Sequence, residues 1–473
     1  MRDKPQDPSA SDDHLAKVIP LRRSTGVVDW PTSSFERLAR DIGGTLTKLI
    51  TVADAEGVRL SPTVRQAAVL LDGSLLLPAD IEMDLPWSRE NALRILEDWL
   101  LSGLMDRRIF LAVSGTALMG LASEYLELEP ARLPAAIESD GASATLLTQL
   151  EATIPALWAL DDNHGGRRVL PYVSSQFQTA AHILRQGSHD TEVARQLFRV
   201  IAKLGQHGGW AAFDAGQHGL AQRYYFTALR AAHQAADRPL AAHILADLAF
   251  QAASTDARQQ AGGLAERAMR ASAATPARVR ASVASRAAFA HSAAGDTRAF
   301  AACRDLAHEQ LARSGPHDGD PDWVYYLTPS HVDALAGSAM IRLAQTARTQ
   351  GQTRRARIWI RDGLGLLRGT AALCDTQHPH QRRAAVEGAW LALAHTLNGD
   401  LDQACGVGRL TISRLGGVQS DRCTSTLTAL RGELRSGRRD NTDVREFVGE
   451  LDQALCAQPP RHDQGAYAQG PAV

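Results

Sequence analysis

Apolar residues follow a helical period through most of the chain, and short breaks rich in glycine, aspartate or proline separate the apolar segments. Near the N-terminus, Ser33 and Ser34 can cap a helix whose apolar residues run from Phe35 to Ile50 at a spacing close to 3.6. From about residue 165 to 456 one predicted helix follows another, and no alternating stretch predicts a strand longer than a few residues. The pattern therefore predicts an all-α protein.

A repeated arrangement occupies this long helical region. Five segments each contain an apolar helix, a turn with glycine or aspartate, and a second helix with small residues seven positions apart. Seven residues make two helical turns, so these small side chains share one face and allow neighbouring helices to approach closely. The positions predicted to form the packing faces are Ala221, Ala228, Ala249, Ala261, Ala268, Ala288, Ala344, Ala356, Ala392 and Ala404. A single hairpin of this kind cannot bury its apolar face, so we expect the hairpins to stack into a superhelix.

The segments resemble tetratricopeptide repeats, which have small residues at corresponding positions and a Gly-Asp turn, as at Gly295-Asp296 and Gly399-Asp400. Equivalent positions are 40, 39, 56 and 48 residues apart, compared with ~34 in that repeat. The longer steps predict longer helices or inserted loops, such as the one at residues 314–322. The resemblance implies a tetratricopeptide-like helical-hairpin superhelix with a small N-terminal helical region.

Composition and patterning together divide the chain into five parts. Residues 1–30 are polar and rich in proline and aspartate, which is typical of disorder. Residues 31–105 are predicted to form a small helical region, a candidate degenerate DNA-binding or output module, and residues 106–164 a helical linker. The predicted array covers residues 165–456, and a disordered tail is expected at 457–473.

Overall charge and cysteine usage exclude several classes of protein. The net charge is −1 and hydrophobic residues make up 44% of the chain, which is ordinary for a globular protein and argues against broad non-specific binding of nucleic acid. The five cysteines have no CxxC spacing, which argues against a zinc ribbon or a disulfide framework. The acidic N-terminus does not match a secretory signal, and the apolar run after Arg107-Arg108 is too short to span a bilayer. We therefore expect a cytoplasmic location and no membrane contact.

The sequence contains no phosphate-binding loop, nucleophile elbow or HExxH helix, so we predict no enzyme activity and no cofactor. Asp161, Asp162 and His164 have the chemistry of metal ligands but no second cluster at helical spacing, and we interpret them as a helix-capping turn without metal. Residues 205–208 and 216–219 repeat the pattern Gly-Gln-His-Gly, and we interpret both as turns between helices.

One candidate binding groove can be placed from the phase of the repeat. The first helix of each hairpin should line the concave surface, where aromatic, acidic and basic side chains together could hold a peptide or a small amphipathic ligand. The residues predicted for this groove are Lys203, Gln206, Trp210, Phe213, Asp214, Arg223 and Tyr224. The alternative is that Trp210 and Phe213 belong to the core and Asp214 caps the next helix.

A second resemblance rests on residues 160–166 (LDDNHGG), 208–216 (GGWAAFDAG) and 219–225 (GLAQRYY). These runs are similar to actinobacterial transcriptional regulators described as XRE-type helix-turn-helix proteins or as tetratricopeptide-containing regulators. Residues 105–111 (MDRRIFL) resemble the segment that follows their DNA-binding domain. The resemblance spans about residues 86–440 and implies a C-terminal sensory or protein-interaction array that controls development or specialised metabolism.

The N-terminus departs from that family. Residues 31–85 contain no clear helix-turn-helix, because ten residues separate the two best candidate helices where the motif has ~3–4. The leading interpretation is a cytoplasmic transcriptional regulator whose array binds a partner protein, a peptide or a small-molecule effector. Direct DNA binding through the N-terminal region and formation of a homodimer stay open. The alternatives are a tetratricopeptide adaptor that does not bind DNA and, behind it, an enzyme housed in the array.

Overall fold

The structure, a computed structural model, describes residues 86–102, 116–129, 141–186, 189–255, 257–315, 319–369, 380–436 and 441–458. Within these ranges the backbone forms α-helices, one short 3-10 helix (Asp322–Val324) and no strand. The all-α prediction is therefore confirmed. The predictions for residues 1–85, for the 105–111 motif and for the tail beyond residue 458 lie outside the described residues.

The helices are numbered in chain order. They are α1 (Arg89–Ser102), α2 (Thr116–Glu127), α3 (Gly141–His164), α4 (Gly166–Gln186), α5 (Thr191–Asp214), α6 (His218–Gln234), α7 (Arg238–Ser254), α8 (Arg258–Ala271), α9 (Ala277–Ala294), α10 (Thr297–Arg313), α11 (Pro329–Thr349), α12 (Thr353–Leu367), α13 (Gln381–Asn398), α14 (Leu401–Ile412), α15 (Asp421–Ser436) and α16 (Thr442–Cys456). No helix in the described part of the chain has the length and apolar character needed to cross a bilayer.

The chain divides into two compact units. The smaller comprises Met1–Pro86 and Leu93–Leu111, and its described part is residue 86 with most of α1. The larger comprises Trp87–Ala92 and Ala112–Val473 and contains helices α2 to α16. All further description concerns this larger unit.

Five hairpins form the body of the larger unit: α5–α6, α7–α8, α9–α10, α11–α12 and α13–α14. They coincide with the five predicted segments, and the ten small residues predicted to form packing faces are all buried. Four of the turns contain a glycine with positive φ: Gly216, Gly295, Gly351 and Gly399. A left-handed residue ends a helix by letting the following N–H groups bond back to the last turn, and glycine adopts that conformation without strain. The turn between α7 and α8 contains Asp256, which lies outside the described residues.

One predicted turn is wrong. Residues 205–208 continue α5 as helix, whereas residues 216–219 do form the turn into α6. The physical reason lies in the neighbouring tyrosines: a Cβ at Gly208 would lie 2.7 Å from the ring of Tyr224, and one at Gly209 would lie 2.5 Å from the ring of Tyr225. These glycines therefore let α6 pack closely against α5 instead of breaking the helix.

The array closes on itself. Helix α3, predicted to be part of a linker, contacts α4 and α5 at one end of the array and α13 near the other. The Gln419 N–H donates to the His164 carbonyl at 2.8 Å, and the Ser420 hydroxyl donates to Asp214 Oδ1 at 2.7 Å. The segment before α15 is thereby hydrogen-bonded to the α3–α4 junction and to the end of α5. The hairpins consequently surround an internal space.

Candidate ligand-binding cavity

A cavity of about 760 Å³ lies inside the closed array. Its walls come mainly from the first helices of the hairpins, with contributions from α3, the segment after the 3-10 helix, and α15. Pockets for drug-sized ligands occupy roughly 300–1,000 Å³ and combine apolar walls with a few polar groups. Many of the lining side chains are aromatic, among them Trp158, Trp210, Phe213, Phe250, Phe289 and Trp390.

Trp210 lies among three cations. The guanidinium carbons of Arg422, Arg286 and Arg382 lie 4.8, 5.5 and 5.8 Å from the centroid of its ring. The ring also meets Phe213 edge-on, with centroids 5.8 Å apart. Aromatic faces attract cations, but three positive charges around one indole also repel one another. The nearby carboxylates therefore decide how each arginine is held.

Arg286 is held by Asp247, which α7 places beneath it. The two side chains form an ion pair of 2.6 Å, and the guanidinium also donates to the Tyr326 hydroxyl at 2.7 Å. Gln206 donates to the other carboxylate oxygen of Asp247 at 2.7 Å. Both ends of this buried pair are hydrogen-bonded, which is the condition under which a buried charge is tolerated.

Arg382 is held by the two carboxylates at the end of α3. It lies 3.0 Å from Asp161 and 3.2 Å from Asp162, and Asp162 also accepts from the Tyr325 hydroxyl at 2.8 Å. The pKa of Asp162 is lowered, because hydrogen bonds from His380 and Tyr325 and the charge of Arg382 outweigh its burial. Burial raises the pKa of Asp161 to about 7 despite Arg382, and the neighbouring Asp214 and Asp162 add to the rise.

The interpretation of Asp161 and Asp162 as a helix-capping turn is corrected by this geometry. Both residues belong to the last turn of α3, and the chain leaves the helix only at Gly165, whose φ is +82°. Their carboxylates are occupied by Arg382 from α13, far away in sequence. In the described parts of the chain no group of three or more histidine, cysteine, aspartate or glutamate side chains could hold a metal ion.

His207 brings unsatisfied polar atoms to the cavity wall. It is only 3% exposed, and neither ring nitrogen has a hydrogen-bond partner among the described residues; its Nε2 lies 3.9 Å from Asp161 Oδ2. Asp161 Oδ1 also lacks a partner there. Burial, aided by Arg382, lowers the pKa of His207 to about 4, so the ring is neutral at physiological pH. Buried polar atoms without a protein partner are costly, and a water, an ion or a ligand commonly satisfies them.

Three of the seven predicted groove residues line the cavity: Gln206, Trp210 and Phe213. Lys203 forms an ion pair of 2.8 Å with Asp322 instead of facing the internal space. Trp210 and Phe213 are thus both cavity wall and part of the packing, since they also contact each other and Phe250.

The other three predicted groove residues, Asp214, Arg223 and Tyr224, are buried in the packing of the helices. Asp214 is fully buried and accepts the Gly166 N–H at 2.9 Å, so it caps the start of α4 and not the following helix, as the alternative had it. Arg223 and Tyr224 are buried in α6, where the Tyr224 ring packs edge-on against Phe177. None of the three lines the cavity.

The sequence prediction missed the charged half of the site. Arg382 and Asp161 are 221 residues apart in the chain, and Arg422 comes from the first turn of α15. No local motif marks these residues, because they meet only where the array closes. No family profile matches this chain, and no curated protein is significantly similar to it in sequence.

Proposed function

We propose that the protein is a ligand-responsive regulator whose closed helical array takes a small molecule into the internal cavity. The cavity of about 760 Å³ carries this proposal. Its volume suits a drug-sized ligand, its aromatic walls supply apolar contact, and its few arginine, carboxylate and histidine groups can fix the orientation of that ligand.

The closure of the array favours a small molecule over an extended peptide. In an open superhelix a peptide lies along the concave surface. Here α3 contacts both α5 and α13, so helices from both ends of the array meet across that surface. A partner protein remains the alternative occupant of the outer faces, as in an adaptor that does not bind DNA.

Binding inside the cavity would be communicated through the contacts that close the array. Its wall includes Asp161 from α3, Arg382 from α13 and Arg422 from α15. A ligand that prefers the closed arrangement shifts the population toward it by its difference in affinity for the two states. In this proposal the N-terminal region of residues 31–105 supplies the output, and the resemblance to actinobacterial regulators supports transcription control in the cytoplasm as that output.

The ligand-binding part can be tested with a neutral fluorescent probe, N-phenylnaphthylamine, on the full-length protein. We expect one equivalent to bind, seen as enhanced probe fluorescence and a 1:1 complex in native mass spectrometry. Leu335→Trp adds a large ring to the cavity wall and should abolish binding, whereas Leu366→Trp, a matched change on α12 away from the cavity, should not. Probe binding that survives Leu335→Trp unchanged would place it outside the cavity and refute the proposal.

The regulatory part requires a separate measurement. A gel-shift experiment with DNA fragments from the protein's own genomic neighbourhood at moderate salt should give a specific, salt-sensitive shift. No shift with any of these fragments would contradict transcriptional control by direct DNA contact and would favour the adaptor.

A further inference from the structure

The arginines of the cavity are not equally compensated. Five arginines line it, and three have a carboxylate at contact distance: Arg286 with Asp247, Arg382 with Asp161 and Asp162, and Arg383 with Glu387 at 2.6 Å. Arg342 donates to the backbone carbonyl of Ala253 and forms no ion pair within the described residues. Arg422, like Arg342, has no carboxylate within hydrogen-bonding distance among the described residues.

Arg422 has no hydrogen-bond acceptor among the described residues. Its nearest carboxylate oxygen, Asp214 Oδ1, lies 3.9 Å away, beyond hydrogen-bonding distance. Asp214 cannot move toward it without loss, because Oδ1 accepts from Ser420 and Oδ2 from the Gly166 N–H. The contacts that close the array thus occupy the carboxylate that lies nearest to Arg422 among the described residues.

Aromatic rings surround the Arg422 guanidinium. It lies 4.8 Å from the Trp210 centroid, 5.1 Å from Phe250 and 5.6 Å from Phe213. These rings exclude water from part of the group and supply an apolar surface beside its donors. Burial, together with Arg382 and Arg286, lowers the pKa of Arg422 to about 10, although Asp214 opposes the shift. The cation is therefore held at a cost that a bound anion would relieve.

Independent polar atoms on the same wall also point to a ligand. His207 is nine-tenths buried or more and faces the cavity, and within the described part of the chain neither of its ring nitrogens has a hydrogen-bond partner. Asp161 Oδ1 also lacks one there. At His331, on the same wall, the field is positive: besides its burial, the charges of Arg383, Arg286, Arg382 and Arg422 lower its pKa well below the ordinary value. A positive field of this kind attracts an anionic ligand and repels a cationic one.

Resting on the proposed function, we infer that the cavity binds a small molecule with a planar aromatic or other apolar body and one oxyanion, a carboxylate or a phosphate, which the Arg422 guanidinium holds. The body lies against Trp210, Phe213 and Phe250, and the guanidinium donates to the oxyanion through its planar fork. His207 supplies a further polar contact to the same molecule. Arg422 is the specificity-determining residue for the anionic group.

Two fluorescent probes with the same ring system distinguish the contribution of the anionic group to binding from that of the aromatic body. Anilinonaphthalene sulfonate carries an oxyanion, and N-phenylnaphthylamine is the same structure without it. Because a hydrogen bond to a charged group has a larger net contribution than a neutral one, we expect the sulfonate to bind the native protein about tenfold or more tightly than the neutral probe.

Substitution of the arginine tests the assignment directly. Arg422→Met keeps an unbranched apolar side chain against the rings, removes the charge, and should weaken sulfonate binding about tenfold or more while changing neutral-probe binding less than about twofold. Arg361→Met, on an arginine of α12 exposed away from the cavity, is the matched control and should change neither. Equal weakening of both probes, or of neither, by Arg422→Met would overturn the inference.

Competition on the native protein needs no variant to fold. Naphthoate and naphthyl phosphate should displace the bound sulfonate probe at concentrations at least about tenfold below naphthalenemethanol, and the better of the two anions identifies carboxylate or phosphate as the preferred group. If the alcohol competes as well as the anions, the inference is wrong while the proposed function stands. If neither fluorescent probe binds the native protein, the proposed function itself fails.

Discussion

His207 allows a sharp test of how the cavity wall affects stability. The ring is buried and neutral, and its pKa is lowered from 6.5 to about 4. Below pH 6.5 His207 binds a proton in the unfolded chain but stays neutral in the folded protein. Stability that is present above pH 6.5 is therefore lost as the pH falls toward 4. A difference of this size corresponds to about 3 kcal/mol. His207→Phe keeps a ring of similar shape and removes the titrating group.

The expected result follows from that difference. At about pH 7 the variant should be as stable as the native protein or more stable, because no hydrogen bond is lost and two unpartnered nitrogens are removed. Between pH 7 and about 4.5 it should lose about 2–3 kcal/mol less of its free energy of unfolding than the native protein does. The two pH profiles should therefore diverge steadily with acidification.

Other cavity groups titrate over the same range, and those that do not contact His207 contribute equally to both pH profiles. The pKa of His243 is also lowered to about 4 by burial, which adds to the acid loss. Asp161 acts in the opposite direction, because its pKa is raised to about 7 and the folded protein retains a proton that the unfolded chain releases.

Urea denaturation followed by far-ultraviolet circular dichroism and tryptophan fluorescence at about pH 7, 5.5 and 4.5 measures the difference. His182→Phe, the same substitution at an exposed position on α4, is the control and should follow the native profile. Parallel losses of stability in the native protein and His207→Phe would refute the reasoning, because they would show that this ring is not held neutral by burial.

Two further predictions concern packing and the buried ion pair. Gly408→Ala should destabilise the protein by more than ~1 kcal/mol, because the new Cβ would lie 2.2 Å from the Phe447 ring. Gly406→Ala, on the same helix, has open space and should stabilise the protein by ~0.5–1 kcal/mol. The two variants should shift the thermal midpoint in opposite directions, and shifts of the same sign would contradict the prediction. Arg286→Met should cost ~3–5 kcal/mol by leaving the Asp247 carboxylate buried without its cation, and Arg286→Met/Asp247→Leu should recover much of that loss. A double variant as unstable as the single one in urea denaturation would show that the charge is not the cause.

The hairpins were predictable because their signal is local. Most hairpins have a small residue before the turn and two more after it, although the third has Phe300 at the first position after its turn. Ala249, Ala261 and Ala268 illustrate the pattern within one hairpin. Helical period and turn chemistry act over one or two turns of chain, so a sequence displays them directly. The exception is residues 205–208, where glycine serves close packing against tyrosine and resembles a turn.

The closure of the array could not be predicted in the same way. It depends on the angle that each hairpin adds to the next, and on pairs such as Ser420 with Asp214, which are 206 residues apart. Trp210 was identified from its position in the repeat, but Arg422 carries no signal of its own. Two aromatic residues of the cavity wall, Trp210 and Phe213, therefore follow from the periodic pattern, whereas the charged half of the wall depends on long-range geometry.

The bonds from Gln419 to His164 and from Ser420 to Asp214 also constrain how this protein could change over evolutionary time. Open solenoids tolerate duplication or deletion of a unit, because each unit touches only its neighbours. Here an added or missing hairpin would alter the circumference and pull both bonds apart. New specificities should therefore arise by exchanging side chains on the inner wall, with the number of hairpins held constant.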